Sequence, residues 1–180
     1  MILNQNNCLI MIIDVQEKLL KAVFNKEILE KNALIWAKSA TTLNIPILIT
    51  EQYPKGLGNT IESVKNSIEN AKYYEKSNFN ALTNSDILEE LAESNKKQII
   101  VFGIETHICV YQTVTDLIQA GYDVVVINNA CGSRNAEEHS LALSYMEKLG
   151  AHIKTTEMAL FELLKSSKHH KFKEIQSLIK

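Results

Sequence analysis

Six short apolar runs alternate along the chain with stretches of helical periodicity, and this alternation predicts an α/β fold. The expected form is a three-layer α/β/α sandwich around a six-stranded parallel sheet, Rossmann-like and doubly wound. Three observations carry the prediction. The runs at 9–13 and 99–102 are continuously apolar, the pattern of strands buried on both faces. Amphipathic segments long enough to cross back over the sheet separate successive runs. No repeat, low-complexity stretch or long linker breaks the 180 residues, so one domain over 1–180 with a full-sized core is expected.

The elements follow in order. Leu9 to Ile13 reads as the first strand, and Gln16 to Leu43 as helix, broken near Asn25. Ile45 to Thr50 is the second strand, leading into the loop Tyr53-Pro54-Lys55-Gly56-Leu57-Gly58. A short helix (Ile61 to Ile68) precedes a modest strand at Lys72 to Lys76. Ser85 to Ser94 is a helix with Ser85 as its cap. Gln98 to Ile104 is the most strand-like segment, and Thr106 caps the helix that ends near Gly121. Asp123 to Ile127 is a strand, Glu137 to Leu149 a helix closed by Gly150, and Ala151 to Thr155 the last strand. Helices at Glu157 to Leu164 and Phe172 to Ile179 finish the chain.

Composition excludes several functions. With 46% hydrophobic and 22% charged residues and a net charge of −2, this is an ordinary globular composition. No stripe of Lys and Arg alternates with aromatics, so no nucleic-acid groove is expected. Three scattered cysteines (Cys8, Cys109, Cys131) form neither a disulfide framework nor a CxxC metal site and fit a reducing compartment. The N-terminal apolar run lacks a basic leader and is far too short to span a membrane, so a cytoplasmic protein is expected. The basic residues include a single arginine, Arg134, the type suited to bidentate anion recognition.

In doubly wound sheets, ligands bind at the carboxyl ends of the strands, near the point where strand order reverses. Three residues stand there. Asp14 directly follows the first run, where a carboxylate is costly unless it is paired or used; a helix cap is the competing reading. Lys76 ends the third strand, where a surface lysine is the competing reading. Cys109 falls in the first turn of the helix after the fourth strand, where free N–H groups and the helix dipole lower a thiol pKa and favour the thiolate. The competing reading is a buried structural cysteine. With strand order 3-2-1-4-5-6, strands one and four adjoin and strand three lies about 10 Å from strand one, within a lysine's reach. Asp14 could then take the thiol proton, with Lys76 supporting the charges. His107, two positions from Cys109 in the same helix, does not face it.

Together these residues resemble the isochorismatase-like cysteine hydrolases. The resemblance rests on Asp14-x-Gln16, on Lys76 before Phe79, and on Gly103-x-x-Thr106-x-x-Cys109-Val110. Thr50 to Gly58, Ala130 to Arg134 and Phe172 to Lys180 are similar to the isochorismatase-domain-containing subgroup. The resemblance implies an Asp14–Lys76–Cys109 triad, a cis peptide at Ile104-Glu105, and an oxyanion hole from the N–H groups of Glu105 and Cys109. Gln16, Glu51, Tyr53, Phe79, Thr106 and Arg134 become candidates for the substrate pocket. A homo-oligomer is implied as well. Nicotinamidases of the superfamily carry a metal site after strand two; here Glu51 and Tyr53 occupy those positions and no histidine precedes residue 107. No metal and no cofactor are therefore expected.

The resulting expectation is a hydrolase that attacks a small amide or related acyl substrate through Cys109 and a covalent acyl-enzyme. The alternatives are a catalytically silent binding protein on the same fold and a nicotinamidase-type amidase. No nucleic-acid or membrane partner is expected.

Overall fold

A computed structural model describes residues 1–180. Six strands, β1 (Cys8–Ile13), β2 (Ile47–Gln52), β3 (Lys72–Lys76), β4 (Gln98–Gly103), β5 (Asp123–Ile127) and β6 (His152–Lys154), form one sheet in the order β3-β2-β1-β4-β5-β6. Every neighbouring pair is parallel. This is the doubly wound arrangement expected from the alternation of strands and helices. Order reverses at β1, which is flanked by β2 on one side and β4 on the other.

The helices are α1 (Glu17–Ala22), α2 (Lys26–Leu43), α3 (Pro54–Leu57), α4 (Glu62–Lys65), α5 (Ser85–Ser94), α6 (Tyr111–Gln119), α7 (Ala136–Leu149), α8 (Thr156–Leu164) and α9 (Phe172–Ile179). On one side α2 packs with α1, α4, α8 and α9; on the other α6 packs with α7. β1 and β4 are buried along their whole length, which is why their sequences are apolar without alternation. Trp36 of α2 lies against Phe102 of β4, ring centroids 6.2 Å apart, anchoring a helix layer to the sheet. No helix is long and apolar enough to cross a membrane.

Some boundaries differ from the expected ones, each for a local reason. β2 starts at Ile47 because the Ile45 N–H closes α2 on the Ala40 carbonyl, 2.9 Å away, and Pro46 has no N–H. It runs on to Gln52 because Glu51 and Gln52 pair with Glu75 and Lys76 of β3. The cap of α5 is Asn84, whose side chain accepts the Asp86 N–H, rather than Ser85. The helix after β4 begins as a π-turn over Thr106–Val110, and Thr106 does not cap it. Its hydroxyl bonds His139 of α7 instead.

The strand ends are held in register at the switch point. Ile13 pairs with Thr50 on one side and Gly103 on the other. Gly103 has φ +142°, and a Cβ there would lie 1.9 Å from the Ile13 carbonyl oxygen. Only glycine lets β4 approach β1 this closely and then turn away. Asp14 itself has φ +50°, a left-handed conformation that costs about 1–3 kcal/mol for a non-glycine residue. Its N–H is fixed on the Thr50 carbonyl at 3.1 Å, and its own carbonyl accepts the Gln16 N–H at 2.8 Å.

Candidate active site

The three strand-end residues meet. Lys76 reaches back from β3, two strands away, and its Nζ lies 2.6 Å from Asp14 Oδ2. Both side chains are almost wholly buried, at 2% and 0% exposure. The other carboxylate oxygen, Oδ1, accepts the Thr50 hydroxyl at 2.7 Å. Cys109 lies close enough to the same carboxylate for each group to shift the other's ionisation. Asp14 is therefore held by a cation and a hydroxyl, with a thiol beside it. This arrangement satisfies a buried carboxylate and aims a base at a nucleophile.

Electrostatics sharpen the roles. Burial raises the Asp14 pKa above the usual carboxylate value, against the lowering effects of Lys76, Thr50 and Cys109. Burial also pushes the Cys109 thiol up to about 12, with the Asp14 charge adding to the rise. Lys76 and the Glu105 backbone act in the opposite direction without reversing it. Against the expectation that the helix start favours a thiolate, burial and the neighbouring carboxylate raise the thiol. Cys8 and Cys131 are also buried thiols raised by desolvation, to about 11 and about 12, but their bonds go to the Asn4 carbonyl and from the Gly103 N–H. Neither touches a carboxylate in these bonds.

Around the triad the candidate residues fall into two groups. Tyr53 and Phe79 stay exposed, at 62% and 52%, next to the Lys76 anchor: the Tyr53 N–H bonds the Lys76 carbonyl and the Phe79 carbonyl accepts Lys76 Nζ. Arg134 is also open to solvent and grips the Glu105 carboxylate through Nε at 2.9 Å and Nη2 at 3.4 Å. The Ile104-Glu105 peptide is cis. Gln16, Glu51 and Thr106 instead spend their polar atoms on the protein. The Gln16 amide bonds the Gln52 and Gly58 carbonyls and accepts the Gln52 N–H. Glu51 Oε1 accepts both the N–H and the hydroxyl of Thr60, at 2.6 and 2.7 Å. The ring of His107 bonds Ser133 at 3.0 Å.

Sequence reasoning missed Thr50, Gln52 and His139. Thr50 and Gln52 contact the Asp14–Lys76 pair directly. The missing signal was a count of donors and acceptors, since a buried ion pair leaves lone pairs and N–H groups to satisfy. His139 bridges Thr106, at 2.9 Å, and Asn128, at 3.1 Å, and so braces the π-turn that carries Cys109. Burial lowers its pKa below 6.5. Above 6.5 the ring is neutral in folded and unfolded chains alike. Below it the unfolded chain takes a proton that the fold resists, so stability falls with pH down to the folded pKa. Its share of the slope is at most about 1.4 kcal/mol per pH unit. His139→Gln is expected to flatten urea-midpoint profiles between pH 5 and 6.5, roughly the span just below an ordinary imidazole pKa. An unchanged slope would rule out His139 as the source.

Comparison with known proteins agrees with this fold. The isochorismatase domain matches residues 8–158. Isochorismatase family protein 1A of Dictyostelium discoideum is 38% identical over 181 residues, covering 98% of this chain and 87% of that protein. A structure described as MAR1 ribonuclease from Caenorhabditis elegans superposes with TM-score 0.95 and 33% identity, over 99% of this chain and 92% of that one. The YcaC gene product of Escherichia coli, described as an octameric hydrolase of unknown specificity, superposes with TM-score 0.90 and 25% identity, over 99% and 94%.

Proposed function

The chain belongs to the isochorismatase family, and from that premise we propose that it is a cysteine hydrolase of small amides or related acyl compounds. One observation carries the proposal: a buried carboxylate, Asp14, held by Lys76 at 2.6 Å with the Cys109 thiol beside it. As Cys109 Sγ bonds to the substrate carbonyl carbon, Asp14 takes the thiol proton. The Glu105 and Cys109 N–H groups receive the developing oxyanion. The tetrahedral species collapses, the C–N or C–O bond breaks, and Asp14 returns the proton to the leaving group. Water then attacks the thioester, giving its proton to Asp14, and the acid departs as the thiol is restored. Lys76 offsets the Asp14 charge before the proton moves and lies close to the negative charge that passes to the oxyanion afterwards.

The name of the Caenorhabditis neighbour raises an RNA substrate. The net charge of −2 offers no electrostatic footprint for RNA, and the buried triad favours a small molecule instead. Free thiols at Cys8, Cys109 and Cys131 suit the cytoplasm, and the octameric relative favours a homo-oligomer.

The test is a panel of amides, aryl esters and a short RNA, with acid-quenched samples mapped by mass spectrometry. An acyl group is expected on Cys109 alone. Turnover with no adduct there, or with the adduct on Cys8 or Cys131, would overturn the proposal, and so would the absence of both turnover and adduct, which favours a silent binding protein. The pH profile is a second check. Activity needs Asp14 ionised and the thiol able to donate. The rate is therefore expected to rise through the raised Asp14 pKa and then stay level on the alkaline side, because Cys109 loses its proton only near 12. A rate that instead keeps climbing without a plateau as the solution is made alkaline would indicate a free-thiolate mechanism.

A further inference from the structure

We propose that Gln52 is a positioning residue for the same site, holding the Lys76 ammonium in place while Asp14 carries the thiol proton. The inference rests on the triad reading. Lys76 Nζ has four oxygen neighbours: Asp14 Oδ2 at 2.6 Å, Gln52 Oε1 at 2.7 Å, and the carbonyls of Phe79 and Asn78 at 3.2 and 3.3 Å. Only the first two are short, and only Asp14 is charged. An ammonium has three N–H groups and almost no access to water here.

The difficulty arises in mid-reaction. When Asp14 takes the thiol proton, the cation loses its carboxylate as an ionic partner. A buried ammonium left with two long carbonyl contacts would be costly and would pull the proton back off Asp14. The Gln52 oxygen is a third, short acceptor that stays constant through the cycle, because an amide neither gains nor loses charge.

Its orientation is fixed. Gln52 Nε2 donates to the Ser77 carbonyl at 2.7 Å, which forces the oxygen toward Lys76. The Gln52 backbone is clamped on both sides by Gln16, through N–H to Oε1 at 2.7 Å and Nε2 to carbonyl at 3.0 Å. Gln16 thus acts at one remove, pinning the residue that pins the lysine. The charged and titratable groups that face Asp14 are Lys76 from β3 and Cys109 from the π-turn; Thr50 from β2 is neutral.

Two substitutions of opposite character test the assignment. Gln52→Glu gives Lys76 a second carboxylate, so a protonated Asp14 becomes easier to tolerate. Gln52→Leu removes the neutral acceptor, so a protonated Asp14 becomes harder to tolerate. Asp14 is followed by titration of its 13C-labelled carboxyl carbon in wild type and both variants. The midpoint is expected to move up in Gln52→Glu, by about one pH unit for a charge added at this distance, and down in Gln52→Leu. A residue that only supports packing would shift both in one direction or neither, and either result would overturn the inference. If Gln52→Leu does not fold, Gln52→Ala replaces it with the same expected sign. The readout needs no substrate, so the Cys109 adduct experiment can fail on its own without deciding this one, and the reverse.

Discussion

Asp14→Asn is expected to slow hydrolysis of any substrate that acylates Cys109 by about 100- to 10,000-fold, the usual contribution of a positioned base, and Cys109→Ala to abolish it. The direction is diagnostic. Asparagine preserves the shape of the side chain and can still accept from Lys76 while its amide donates to the Thr50 hydroxyl oxygen, but it cannot accept the thiol proton. The Asp14 charge raises the Cys109 pKa, so its removal leaves a thiol that ionises more readily. Were the resting thiolate the working nucleophile, Asp14→Asn would speed acylation. If Asp14 is the proton carrier, the variant loses both attack and the second step, in which water must be deprotonated. Acyl groups that do transfer are then expected to persist on Cys109. Rapid-quench mass spectrometry with p-nitrophenyl acetate separates the cases: wild-type or faster turnover in Asp14→Asn would remove Asp14 from the mechanism.

Gly103→Ala is expected to destabilise the fold by about 4 kcal/mol or more, among the largest effects of a single substitution. The added methyl carbon would meet three backbone atoms of Ile13, the carbonyl oxygen at 1.9 Å, the carbonyl carbon at 2.7 Å and Cα at 2.9 Å. A flexible side chain could swing aside, but the backbone of a central strand cannot. The glycine φ of +142° adds strain for any residue with a Cβ. Relief would have to come from separating β1 from β4, the seam on which Asp14 and Cys109 are mounted. Urea denaturation is the measurement, and a loss below 1 kcal/mol, roughly that of an ordinary surface change, would show that the seam is more yielding than its geometry implies. Gly121, with nothing within 4 Å of its Cβ position, is the control: it should show only the cost of its own φ of +82°.

Much of this architecture was legible in the sequence, and the illegible part has a physical pattern. Continuous apolar runs such as Leu9 to Ile13 mark buried strands without reference to any neighbour. Asp14 was visible because a carboxylate after such a run demands an explanation, and Cys109 because a thiol in the first turn of a helix does too. Lys76 became visible only once strand order was considered. Thr50, Gln52 and His139 were invisible because neutral hydrogen-bonding residues are common at strand ends and in helices. Their role depends on which buried group they complete. Gln16, Glu51 and Thr106 make internal bonds that spacing likewise cannot reveal. For the thiol, a helix dipole can be read from sequence, whereas desolvation and a carboxylate 95 residues earlier (109 less 14) cannot.

The crossing from β1 to β4 also bears on how the chain reaches its native state. Cys8 pairs with Gln98, residues 90 positions apart, and no hairpin in the sheet offers a local start for that pairing. Closing so long a loop comes at an entropic cost before any contact repays it, which places such topologies among the slower folders of their size. The candidate triad straddles this seam, with Asp14 and Lys76 contributed by one half of the sheet and Cys109 by the other. The site is therefore complete only when this long-range pairing has formed.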